Sequence, residues 1–137
     1  MIRPLKLLTF VAVLAYALVG TAATAGTTRA AAPMRVTVNV FAVGNDESTE
    51  PANLAVRAGG TVQITFRNHT HMFHTFTIKA LGISVLIRPA QGTGVQTTSV
   101  SFVAPYGVYE WRCMFCDTAM HPHTHAMKGK VYAIINA

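Results

Sequence analysis

Residues 109–131 read YEWRCMFCDTAMHPHTHAMKGKV. This stretch holds both cysteines, three of the six histidines and three of the six methionines of a 137-residue chain. It opens as a strand, with Tyr109, Trp111 and Cys113 alternating with Glu110 and Arg112, so that the first three share one face. Cys113 therefore sits at the exit of that strand, at an end of a sheet where loops gather. Cys116 follows, and His121, His123, His125 and Met127 arrive before a last strand begins near residue 130. A loop this short returns its side chains to the neighbourhood of Cys113. Thiolate and thioether select Cu(I), imidazole suits both copper oxidation states, and His/Cys/Met sets with a weak axial sulfur serve electron transfer.

A C-x2-C pair alone has other readings. One is a disulfide, which the oxidising compartment of an exported protein allows. A redox dithiol of the thioredoxin kind opens a helix after a strand, and no such pattern is present. Two cysteines and two histidines also suit tetrahedral zinc, but zinc gives no reason for Met120 and Met127 beside the histidines. Closely spaced histidines also occur as solvated, adventitious metal-binding tracts.

A second group points to the same end. Residues 68–78 read NHTHMFHTFTI, in which His74, Phe76 and Ile78 share one face of a strand that His74 opens. His69 and His71 precede that strand and read as exposed loop residues.

Period two governs the rest of the chain. Val36, Val38 and Val40 alternate with polar neighbours, as do Val62, Ile64 and Phe66, which marks half-buried strands. Further strands are expected at residues 54–57, 74–78, 83–87, 95–103, 108–112 and 130–135. Residues 45–53, with Asp46, Glu47 and Glu50, read as a solvated acidic loop. No segment after residue 33 has a capped helical period, and short strands punctuated by glycine and proline indicate an all-β antiparallel sandwich or barrel.

The first 25 residues read as a secretory signal peptide: Arg3 and Lys6, an apolar run from Leu7 to Val19, then Ala23-Thr24-Ala25. That run of 13 residues is short of the roughly 20 that span a bilayer. An uncleaved anchor is the other reading, with residues 26–33 as a flexible linker. Cleavage leaves 112 residues, enough for one domain over 34–137, and lowers the net charge from +6 to +4. The basic residues are scattered, which argues against nucleic acid and for acidic partners or an anionic membrane surface.

The chain resembles the cupredoxins, the family of blue copper and CuA electron-transfer domains. The resemblance rests on Asn68 followed by His74-Thr-Phe-Thr-Ile, on Val103-Ala-Pro105 with Gly107-x-Tyr109-x-Trp111-x-Cys113, and on Met127-Lys-Gly129-Lys-Val131. It implies a Greek-key β-sandwich of seven or eight strands. It also implies a metal site of His74, Cys113, Met127 and, from the H-x3-M-K-G spacing, His123, with one or two copper ions. Blue copper loops carry one cysteine and a histidine soon after it, whereas here His121 comes seven intervening residues past Cys113. Cys116 points to the binuclear CuA type, but the C-x2-C spacing departs from C-x3-C-x3-H-x2-M.

The expected function is that of an exported, periplasmic or extracellular electron carrier, not an enzyme, serving redox partner proteins that include membrane-bound respiratory components. Met72, Phe73, Phe115 and Met120 would exclude water and form a docking rim, and Asp117 would support a ligand histidine. The alternative is a copper chaperone or scavenger that holds Cu(I) on the His/Met-rich loop. A third reading is a disulfide-closed domain that binds no copper.

Overall fold

The computed structural model describes residues 31–44, 46–116 and 127–135. The signal segment, the first part of the linker, Asp117, Met120, His121, His123 and His125 lie outside the described residues.

Alternation of apolar and polar side chains sets the strands. They are β1 (Met34–Val43), β2 (Asp46–Glu50), β3 (Leu54–Arg57), β4 (Thr61–Asn68), β5 (His74–Ile78), β6 (Ile83–Ile87), β7 (Gln96–Val103), β8 (Gly107–Arg112) and β9 (Lys128–Ile134). A single 3-10 turn, Lys79–Leu81, is the only helical piece among the described residues. It ends at Gly82, whose φ of 64° is a left-handed conformation that costs glycine little.

Two sheets face each other. One has the order β2-β1-β4-β7 and the other β3-β9-β8-β5-β6. Strand β1 runs parallel to β4, and β3 parallel to β9, while the remaining neighbours are antiparallel. The expected all-β sandwich is therefore present, with nine described strands where seven or eight were expected. The added strand is β2, within the segment read as an acidic loop. Its five residues hydrogen-bond to the edge of β1, with Ala42 opposite Glu47 and Val40 opposite Thr49. An acidic sequence forms a strand here because a long neighbour supplies the backbone partners, a tertiary effect that overrides local β-propensity.

The core lies between the sheets. Val62, Ile64 and Phe66 of β4 point inward and are buried, as their alternation implied. Phe66 meets Phe76 across the sandwich with ring centroids 5.0 Å apart, and Phe76 meets Trp111 at 5.3 Å. Each such tilted pair adds about 0.5–1.5 kcal/mol beyond area burial. Phe76 lies two residues after His74 and Trp111 two residues before Cys113, so this aromatic row sets the spacing of the strands that present both residues.

Gly129, opposite Trp111 in the β8–β9 register, has a packing reason for being glycine. A Cβ there would overlap the Ala52 carbonyl oxygen, which accepts the Trp111 Nε1–H hydrogen bond at 2.8 Å.

Candidate metal centre

The centre forms where β5 and β8 stop pairing. These strands register only at Thr77 and Arg112. Beyond that point the ladder gives way to bonds with side chains. The Thr75 N–H points at Cys113 Sγ at 3.4 Å, and the Met114 N–H donates to Thr75 Oγ1 at 2.6 Å. The Cys116 N–H is a second donor to Cys113 Sγ, at 3.3 Å. Two backbone dipoles aimed at one sulfur favour negative charge on it. On the other side, Cys113 N–H donates to the Met127 carbonyl at 2.8 Å, extending the β8–β9 ladder by one bond. The loop carrying the three later histidines thus leaves from Cys113 and returns at Met127, both in the site's own wall.

His74 opens β5 and is fully buried, which demands partners for both ring nitrogens. The network fixes which nitrogen carries the proton. Asn68, also fully buried, donates through Nδ2 to the Met72 and Arg88 carbonyls at 3.0 and 2.9 Å. Its amide orientation is set by those two acceptors, leaving Oδ1 to accept from the Thr70 N–H and the Thr70 hydroxyl, each at 2.9 Å. A hydroxyl has one proton, and that proton is now used. Thr70 Oγ1, 2.9 Å from His74 Nε2, must therefore accept from an Nε2–H. The neutral ring then keeps its lone pair on Nδ1, which lies 3.9 Å from Cys116 Sγ.

Ligand atoms of His74, Cys113 and Cys116, all buried, lie within 4.8 Å of one another. The structure joins the two cysteines as a disulfide, with their Cα atoms 5.4 Å apart. Met127, 4% exposed, is buried in the core next to them, its carbonyl bonded to the Cys113 N–H. Four of the five expected ligands, His74, Cys113, Cys116 and Met127, are thus brought to one buried end of the sandwich. The fifth, His123, lies outside the described residues, with His121 and His125. His69 and His71 are exposed, as expected, and His71 Nδ1–H donates to the Ala90 carbonyl at 3.1 Å. Met72 and Phe73 are exposed beside the site and Phe115 is half-buried.

Two contributors escaped the sequence reading. Thr70 stands four residues before His74, and a polar pair Asn68-x-Thr70 closing a strand is the trace it leaves. Glu47 leaves no trace. Read as part of a solvated loop, it instead places a carboxylate oxygen 3.5 Å from His74 Nε2, with its side chain only 8% exposed. The inward face of β2, where Thr49 is also buried, carries it there.

No family model matches the sequence, and no curated protein matches it. Solved structures do resemble it. Auracyanin A, a blue copper protein of Chloroflexus aurantiacus, shares 19% identity over 75% of this chain and 100% of its own, with a TM-score of 0.50. Dithionite-reduced auracyanin of Roseiflexus castenholzii shares 17% over 76% of this chain and 99% of that one, at 0.52. Reduced rusticyanin shares 19% over 73% and 78%, at 0.53. Identities this low speak for architecture, and the architecture agrees with the expectation from residues 68–78 and 103–131: the chain has the cupredoxin fold.

Proposed function

We propose that this chain is an exported copper protein that carries single electrons between redox partner proteins. The observation behind it is the buried convergence of His74 Nδ1 with the sulfurs of Cys113 and Cys116, at the end of a sandwich where Met127 also lies. The donor chemistry suits copper: one imidazole lone pair, soft sulfur, and N–H groups turned toward Cys113 Sγ. The blue copper protein auracyanin A has the same architecture, which supports the reading.

His74, Cys113 and Met127 would hold a mononuclear ion together with His123 from the loop, and Cys116 would serve as a second sulfur if two ions are bound. Copper, when bound, supplies a one-electron couple between Cu(II) and Cu(I). The chain's part is to keep the donors still. Asn68 and Thr70 fix the His74 ring, the aromatic row fixes the separation of β5 and β8, and the Cys113–Met127 bond closes the wall. Donors fixed on two strands change little between oxidation states, which keeps reorganisation small. Exposed Met72, Phe73 and Met114 form an apolar rim for partner docking. The net positive charge favours acidic partner proteins or an anionic membrane carrying respiratory components.

Copper binding needs the sulfurs as thiolates. A dithiol reductant opens the Cys113–Cys116 bond with two electrons and two protons, and the thiols lose their protons to the medium as metal binds. The paired cysteines also favour a second reading, a permanently closed domain that takes no copper. Thiol counting before and after reductant, followed by anaerobic copper titration, separates the readings. A carrier gains an intense visible thiolate-to-copper band that fades on reduction and returns on oxidation. A chaperone stays colourless and passes Cu(I) to an acceptor. A closed domain exposes no thiol under mild reductant and takes up no copper.

A further inference from the structure

We propose that Glu47 is a positioning residue for His74, its buried carboxylate polarising the Nε2–H so that Nδ1 becomes a stronger donor toward the oxidised metal. The proposal rests on the copper reading above and adds to it the residue that sets the balance between the two oxidation states.

An edge strand offers its acidic side chains an easy route to water, and Glu50 of β2 takes it. Glu47 does not: its carboxylate is buried, with Oε2 3.5 Å from a ring nitrogen of fully buried His74. Withdrawing a carboxylate from water costs several kcal/mol unless charge or dipole compensates it. One compensating group is the Nε2–H, whose direct acceptor is Thr70 Oγ1 at 2.9 Å and whose nitrogen lies 3.5 Å from Glu47 Oε2. The Thr70 hydroxyl thus fixes the tautomer, and the Glu47 charge, slightly farther out, acts on the electron density of the ring. Carboxylates behind ligating histidines raise ligand basicity in this way, and their loss typically lowers metal affinity 10–100-fold. A negative charge near the metal favours Cu(II) over Cu(I), because the ion of higher charge gains more from it.

The test compares wild type, Glu47→Gln and Glu47→Asp in the full chain after reduction of the disulfide. Cu(II) and Cu(I) affinities are measured separately by competition with chelators. Glu47→Gln is expected to lose about tenfold more affinity for Cu(II) than for Cu(I), a rise of about 59 mV in reduction potential. Glu47→Asp is expected to recover part of the difference. A merely structural role would lower both affinities together, and that result overturns the proposal. A copper-free arm keeps the two readings apart. The His74 Nε2–H proton resonance should shift in Glu47→Gln and move back in Glu47→Asp, with the Asn68 and Thr70 amide signals in place. A protein that takes up no copper yet shows this shift refutes the carrier reading and keeps Glu47 as the residue that polarises the ring. An unmoved resonance overturns the proposal whatever the copper result.

Discussion

Thr70→Val removes one oxygen and keeps the shape of the side chain, so it isolates the hydroxyl that ties Asn68 to His74. In the wild type that hydroxyl donates to Asn68 Oδ1 and accepts from His74 Nε2–H, both at 2.9 Å, and accepts more weakly from the Met72 N–H at 3.3 Å. Thr70 is 6% exposed and both main partners are fully buried, so water does not replace the lost bonds. Asn68 Oδ1 keeps the Thr70 N–H, whereas the Nε2–H loses its closest acceptor. Two net hydrogen bonds at about 1 kcal/mol each, plus the cost of a weakly satisfied buried donor, give a destabilisation of about 2–4 kcal/mol. Urea unfolding of the copper-free, reduced protein measures it, with Thr70→Ser as the control that keeps the hydroxyl. The His74 ring should also lose its single Nε2–H tautomer in nitrogen-detected spectra. A Thr70→Val protein within about 0.5 kcal/mol of wild type would refute the network as drawn, because that is the range of an ordinary surface substitution. Equal damage from Val and Ser would refute it as well, since the methyl and not the hydroxyl would then matter.

Gly129→Ala forces the Ala52 carbonyl away from the Trp111 indole and is expected to cost about 1–3 kcal/mol, read as a lower melting temperature. Cys116→Ser keeps the backbone N–H that donates to Cys113 Sγ, so a mononuclear centre should survive with its colour, and copper uptake should no longer need reductant. Loss of the coloured centre in that variant would establish a binuclear site. Among the loop histidines, His123→Ala should bleach the protein while His125→Ala leaves it coloured, judged by the visible band at one equivalent of copper. The reverse pattern would show that the H-x3-M spacing misassigns the ligand.

Much of this fold could be read directly from the chain. Strand β4 buries Val62, Ile64 and Phe66 as its period-two pattern required, and β5 and β8 begin and end where His74 and Cys113 implied. Local alternation carries such information because each face of a sandwich strand has a single fate. The convergence of His74 with Cys113 was legible for the same reason, since both stand where a strand meets the loops. Glu47 was not legible. Residues 46–50 lack an apolar face, and what makes them a strand is the free edge of β1 just before them in the chain, along Asn39 to Val43, rather than any pattern of their own. The proton on His74 Nε2 was likewise hidden, because it follows from the orientation of the Asn68 amide, fixed by the Met72 and Arg88 carbonyls after folding.

The most direct test of the central claim is the electron paramagnetic resonance spectrum of the reduced protein loaded with copper and then oxidised. A thiolate-coordinated Cu(II) signal is expected, with four hyperfine lines for one ion or seven for an electron shared between two. A spectrum of Cu(II) held only by nitrogen and oxygen, with both cysteines counted as free thiols, would contradict it.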